Sequence, residues 1–155
     1  MATSHTDHSQ PVGTNVPPRS ILIVDDDEGV RTMMSRWIDG LGYRPFVARD
    51  ADEALAMLRA ESIDVALVDI KMPGRDGVWL IKEMQRAFMN TAIVVATGNT
   101  SMDPAVTLSP GVIAYVTKPF DLDRLESAVD AALASRSGLS AVRPSRLINP
   151  AQMHA

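Results

Sequence analysis

Five residues carry the chemistry open to this sequence: Asp25, Asp26, Asp69, Thr97 and Lys118. Each stands where an apolar run stops. Ile21-Leu22-Ile23-Val24 ends in Asp25-Asp26-Asp27-Glu28, and Val65-Ala66-Leu67-Val68 ends on Asp69. Ala92-Ile93-Val94-Val95-Ala96 ends on Thr97, and the run from Val112 to Val116 leads into Thr117-Lys118-Pro119-Phe120. A lone aspartate at a strand end is most simply a helix cap or a loop carboxylate. In company it is a candidate nucleophile or metal ligand. Three carboxylates at one place repel, and at least one would have a raised pKa. A hard divalent cation removes that conflict, and Mg2+ takes carboxylate and carbonyl oxygens while keeping several waters. A hydroxyl and an ammonium then suit a phosphoryl group. In-line phosphoryl transfer needs mainly positioning and charge neutralisation, and a carboxylate nucleophile would form an acyl phosphate. The residues alone point to Mg2+-assisted phosphoryl transfer to Asp69.

The elements must bring these residues together. Ile21–Val24, Tyr43–Ala48, Ile63–Asp69, Thr91–Thr97 and Val112–Val116 read as strands, most of them unbroken apolar runs of the kind buried on both faces of a parallel sheet. Pro45 suits an edge strand or a strand start. Between them lie helical spacings. Val30, Met33, Met34, Trp37, Ile38 and Leu41 recur at three and four residues, with Gly40 and Gly42 closing the helix, and this Met and Trp stripe is core. Asp50 caps a helix through Ala60 with Ala54, Leu55 and Leu58 inward. Asp76 or Gly77 begins another, with Val78, Ile81, Met84 and Phe88 on one face. Asp103-Pro104 is a possible helix start that Ser109-Pro110-Gly111 must end. Asp121 caps the last helix, with Leu122, Leu125, Val129 and Leu133 inward. Alternating strands and helices imply an α/β fold with helices on both faces of the sheet. The expected arrangement is a doubly wound, five-stranded parallel sheet in the flavodoxin-like order 2-1-3-4-5. In that order strands 1, 3, 4 and 5 deliver all five residues to one edge. Pro73-Gly74 supplies the turn just after Asp69.

Composition narrows the classes. With 155 residues, one domain with tails is expected, and 46% hydrophobic residues suffice for a core. Residues 1–18 read as a disordered N-terminal tail, 19–135 as the folded domain and 136–155 as a flexible C-terminal tail, where Leu147-Ile148 could dock. His5 and His8 have no further ligands near them in sequence and read as solvated. A net charge of −4 and a pI near 5.3 argue against non-specific nucleic-acid binding. The absence of cysteine excludes disulfides and thiolate metal sites and is compatible with a reducing, cytoplasmic setting. No apolar run is long enough for a membrane span, and no signal pattern opens the chain.

Four motifs together carry a family resemblance: Ile-Leu-Ile-Val-Asp-Asp-Asp-Glu at 21–28, Val-Asp-Ile-Lys-Met-Pro-Gly-Arg-Asp-Gly at 68–77, Ala-Thr-Gly at 96–98 and Tyr-Val-Thr-Lys-Pro-Phe at 115–120. Over roughly residues 20–135 the chain resembles the receiver domain of bacterial two-component response regulators. The resemblance implies that Asp69 accepts the phosphoryl group. It implies an acidic pair in which Asp26 binds Mg2+ directly and Asp25 acts largely through water, with the Lys71 backbone carbonyl as a further metal ligand. Thr97 is then the switch hydroxyl, Lys118 the lysine that pairs with the phosphoryl group, and Tyr115 the aromatic that moves with the switch. Pro119 follows a peptide bond usually cis in the family. The implied partners are a histidine kinase or histidine phosphotransfer protein and a downstream protein target, with a homodimer possible and no direct nucleic-acid or membrane contact expected.

Taken singly, the same residues have plainer readings. Tyr115 alone is a half-buried strand aromatic, Thr97 a turn residue and Lys118 a surface lysine. Asp27 and Glu28 suit a helix start, and Asp76 suits a cap. The chain departs from the family after Thr97, where glycine and proline interrupt the expected fourth helix, on the face usually used for signalling and dimerisation. Lys71 and Asn99 stand two positions beyond Asp69 and Thr97, where side chains flank the phosphoryl group. The leading expectation is a stand-alone receiver that does no turnover chemistry. A fragment of a longer regulator with a missing output domain is the alternative. A haloacid-dehalogenase-type phosphohydrolase, suggested by Asp25 and Asp27, leaves Asp69 and Lys118-Pro119 unexplained. A non-phosphorylated pseudo-receiver is disfavoured by the complete acidic set.

Overall fold

A computed structural model describes residues 17–98 and 110–137. The readings made of His5, His8, Asn99, Asp103-Pro104 and Leu147-Ile148 lie outside the described residues. Among the described residues five strands and four helices follow in the order β1 (Ser20–Val24), α1 (Glu28–Gly40), β2 (Arg44–Ala48), α2 (Ala51–Ala60), β3 (Val65–Val68), α3 (Gly77–Ala87), β4 (Ala92–Thr97), β5 (Val112–Thr117) and α4 (Leu122–Ser137). The sheet is parallel throughout, in the order β2-β1-β3-β4-β5. Pro45 lies in β2, an outer strand, where a missing N–H is tolerated.

Strand alternation divides the core into two layers. Leu22, Val24, Ala66, Val68, Ile93 and Val95 face α2 and α3, meeting Ala54, Leu55, Leu58, Leu80, Ile81 and Met84. Ile21, Ile23, Val65, Leu67, Val94 and Ala96 face α1 and α4, meeting Met34, Ile38, Leu125, Val129 and Ala132. The three central strands are thus apolar on both faces, which is why they read as unbroken runs. Short acids start the helices. Asp27, Asp50 and Asp76 each accept a hydrogen bond from the backbone N–H three residues on, and Asp121 accepts from Arg124 in the same way.

Two apolar positions differ from expectation. Leu122 is 38% exposed because it opens α4 beyond the end of β5, with Leu125 the first side chain over the sheet. Met33 is also 38% exposed, on the flank of the arc that buries Met34 and Ile38. In α3 the buried arc is Gly77, Leu80, Ile81 and Met84, so Leu80 belongs to the core and Val78 lies at its margin.

At the amino edge of the sheet Asp64 gathers three elements. Its carboxylate accepts from the Ser20 N–H at 2.8 Å and from the Arg136 guanidinium, with Arg19 at 3.8 Å. Arg136 also donates to the Asn90 carbonyl at 2.6 Å, which fastens the end of α4 beneath β3 and β4.

Candidate functional site

The carboxyl edge is assembled by local rules. Asp25 and Asp69 directly follow β1 and β3, and these neighbouring strands hold the two acids side by side. The Asp69 N–H donates to the Val24 carbonyl at 2.9 Å, and the Asp25 N–H donates to the Ala48 carbonyl at 3.1 Å. Both backbones are therefore ladder-bound up to the acid itself. Thr97 ends β4, and its carbonyl accepts from the Lys118 N–H at 2.8 Å. Lys118 precedes Pro119 through a cis peptide bond, the isomer implied by the resemblance.

Three carboxylates converge. Oxygens of Asp25, Asp26 and Asp69 all lie within 4.8 Å of one another. Asp25 and Asp69 are buried and Asp26 is exposed. At such separations each like-charge pair costs about 3 kcal/mol at an effective dielectric constant of about 20. Lys118 offsets part of this cost. Its ammonium sits 2.5 Å from Asp25 Oδ2 and 3.6 Å from Asp69 Oδ2. Asp25 Oδ1 accepts from the Asp27 N–H at 2.9 Å, so both oxygens of Asp25 are engaged. Asp69 is held more loosely, with the Lys71 N–H at 3.4 Å from Oδ1. Burial raises the Asp69 pKa above the usual carboxylate value; Lys118 pulls it back, and Asp25 and then Asp26 push it up further. The cluster suits a hard divalent cation, since one ammonium only partly compensates three carboxylates.

The loop after Asp69 turns at Gly74, whose φ of 77° favours glycine. Lys71 itself is exposed, and the loop residues Ile70, Lys71, Met72 and Pro73 line a shallow depression with Asp76. Thr97 is buried at 1% exposure beside this edge, whereas Tyr115, opposite Val95 in register, is 52% exposed on the face of β5 away from Ala114 and Val116. The structure thus brings Asp25, Asp26, Asp69 and Lys118 into one cluster, with Thr97 at the adjacent strand end. Asp27 is occupied as the α1 cap, accepting from the Val30 N–H at 3.1 Å.

Two residues of this edge escaped the sequence reading. Gly77 is one: a Cβ there would stand 2.2 Å from the Asp69 carbonyl oxygen and 2.7 Å from the Ile70 Cα. The glycine of Asp-Gly at 76–77 signalled a helix start but not this close approach. Arg31 is the other, donating from Nη1 to the Asp25 carbonyl oxygen at 2.8 Å. Its only sequence signal was its place at the end of the first turn of α1.

Comparison with known proteins matches this architecture. The response regulator receiver domain family matches residues 21–130, more than half of the chain. The chain is 37% identical over 124 residues to the regulatory protein AtoC of Escherichia coli, covering 79% of this chain and 27% of that protein. It thus spans about a quarter of the length of such curated relatives. A CheY-like response regulator receiver domain protein from Methanospirillum hungatei superposes with a TM-score of 0.72 at 29% identity, covering 79% of this chain and 99% of that one. The response regulator TrrA from Thermotoga maritima, solved in complex with Mg(2+)-BeF, superposes with a TM-score of 0.68 at 26% identity, covering 74% of this chain and 99% of that one. With its sheet order, its acidic edge and the family match in agreement, the chain belongs to the response regulator receiver domain family.

Proposed function

We propose that this chain is a phospho-accepting receiver of a two-component system and that Asp69 is the acceptor. The observation that carries this reading is the buried Asp69 carboxylate, set within 4.8 Å of Asp25 and Asp26 oxygens and 3.6 Å from the Lys118 ammonium. The donor would be a phosphohistidine on a kinase or a histidine phosphotransfer protein. An Asp69 oxygen attacks phosphorus, the P–N bond breaks, and an acyl phosphate forms on Asp69 as the electron pair leaves with the imidazole. Water later cleaves the new P–O bond and restores the carboxylate. This is one exchange on the chain's own side chain rather than turnover of a substrate.

Mg2+ fits the cluster through its oxygen-only donor set, and Mg2+ is named in the complex of the Thermotoga relative. Asp26, Asp69 and the Lys71 carbonyl would hold it. Asp25 would act through water, because its two oxygens are already engaged by the Asp27 N–H and Lys118. When bound, the cation would supply positive charge to phosphoryl oxygens. Lys118 neutralises a further oxygen. Thr97 donates its hydroxyl to another, and Tyr115 turns inward behind it. That movement biases a two-state surface for a downstream protein target. A kinase or phosphotransfer partner and a cytoplasmic setting belong to this reading; among the described residues no helix is long and apolar enough to cross a membrane.

The test uses acetyl phosphate with Mg2+ and intact mass. The native chain should gain one phosphoryl group and Asp69→Asn should not. Equal labelling of the variant would assign the acceptor elsewhere. A phosphohydrolase would instead release phosphate continuously from small phosphoesters.

A further inference from the structure

Arg31 makes the second unanticipated contact at the acidic edge, and its geometry has a direct bearing on Asp26. Asp26 is the exposed member of the three, and among the described residues its carboxylate accepts no hydrogen bond. Nothing attached to its side chain fixes its direction. Its backbone is pinned instead, on both sides. The peptide before it ends in the Asp25 carbonyl, which accepts from Arg31 Nη1 at 2.8 Å. The peptide after it carries the Asp27 N–H, which donates to Asp25 Oδ1 at 2.9 Å. Asp25 is itself tied to β2 through its N–H and to Lys118 through Oδ2. Arg31 stands four residues past the Asp27 cap, and its N–H donates to the Asp27 carbonyl at 3.0 Å. One turn of α1 therefore reaches back over the loop that it has just left.

We propose that Arg31 is a positioning residue for the metal site, holding the Asp25–Asp26 peptide so that the otherwise unheld Asp26 carboxylate faces Asp69. This rests on the reading of the cluster as a Mg2+ site. A hydrogen bond from an ionised donor is stronger than a neutral one, and partners one shell out from a metal tune its affinity by orienting the ligands. The same side chain carries a positive charge beside a cation site, and that charge alone opposes Mg2+. The two effects of Arg31 have opposite signs, so its removal distinguishes them. If Arg31 were only a nearby charge, its loss would tighten Mg2+ binding. As a positioning residue, its loss weakens binding.

The experiment is Mg2+ titration by calorimetry on the native chain, Arg31→Met, Arg31→Lys, Lys118→Met and Asp26→Asn, with thermal unfolding in EDTA to establish that each is folded. Arg31→Met should bind Mg2+ about tenfold more weakly than the native chain. Arg31→Lys, with a single ammonium donor, should fall between them and carries the test if the Met variant does not fold. Lys118→Met, which removes a competing cation from Asp25, should bind more tightly and calibrates the effect of charge. In EDTA the amide resonances of Asp26 and Asp27 should broaden in Arg31→Met, a signature that needs no metal. Affinity equal to or above native in folded Arg31→Met, or in folded Arg31→Lys if the Met variant does not fold, overturns the positioning role while leaving the site intact. If the native chain binds no Mg2+, or binds it as well after Asp26→Asn, the site reading itself falls.

Discussion

Asp69 carries its charge at a cost until something joins it. Its pKa is raised in the fold, so ionisation is harder there than in the unfolded chain. Below the ordinary carboxylate range both states are protonated and no penalty exists. Above the raised value the folded state bears it in full. Asp69→Asn should therefore raise Tm by a few degrees in EDTA near neutral pH, and the gain should shrink as pH falls through the carboxylate range. Lys118 keeps its 2.5 Å partner Asp25 in this variant, so no ammonium is stranded. Thermal scans across pH check the sign. Saturating Mg2+ should reverse the order, because the native chain then binds a ligand that the variant holds poorly. These acids were legible in the sequence because each ends an apolar run. Arg31 was not, because a side chain that returns to a main-chain oxygen leaves no periodic trace.

Helix placement is where sequence reading and fold agree in outline and part in detail. The strand order, the caps Asp50, Asp76 and Asp121 and the outer position of β2 were readable, while Asp27 was read as a helix-start charge and proves to be a cap. Leu122 and Met33 were assigned inward by spacing but lie at the rim, since spacing gives a helix face and not where the sheet beneath it ends. Gly77 was read as a helix start, yet its function is proximity: α3 runs so close to the Asp69–Ile70 backbone that a Cβ has no room. The obstructing atoms are backbone and cannot rotate away. Gly77→Ala should cost about 3 kcal/mol in urea unfolding, and the shift in α3 should also slow labelling by acetyl phosphate. Gly40→Ala is the contrast. A Cβ there meets nothing within 4 Å, at the end of α1, so the variant should gain about 0.5 kcal/mol.

The whole molecule has two charged ends that do different things. The carboxyl edge gathers three acids around one lysine, and the amino edge gathers two arginines around Asp64. Asp64→Ala would leave the buried Ser20 N–H without its acceptor and Arg136 with only the Asn90 carbonyl, for a loss of about 2 kcal/mol. Mg2+ affinity should stay at the native value, because no residue is shared between the two ends. Denaturant melts and calorimetry on the same sample check both halves of that statement. Neither arginine pairing was legible in the sequence, since Arg19, Asp64 and Arg136 meet only once β1, β3 and the end of α4 are folded together.

The Asp64 cluster also fixes where the two described ends of the domain lie. Arg19 precedes β1, and Arg136 is the next-to-last residue of α4, so both described ends of the chain meet at that pole. Asp64 and Asp69 flank the four-residue β3, and five steps of about 3.3 Å each separate the two by roughly 17 Å. A dye attached at Pro18, beside β1, is thereby anchored at the pole opposite the acids. A chain immobilised on a sensor chip through that position would leave the Asp69 edge facing the solution.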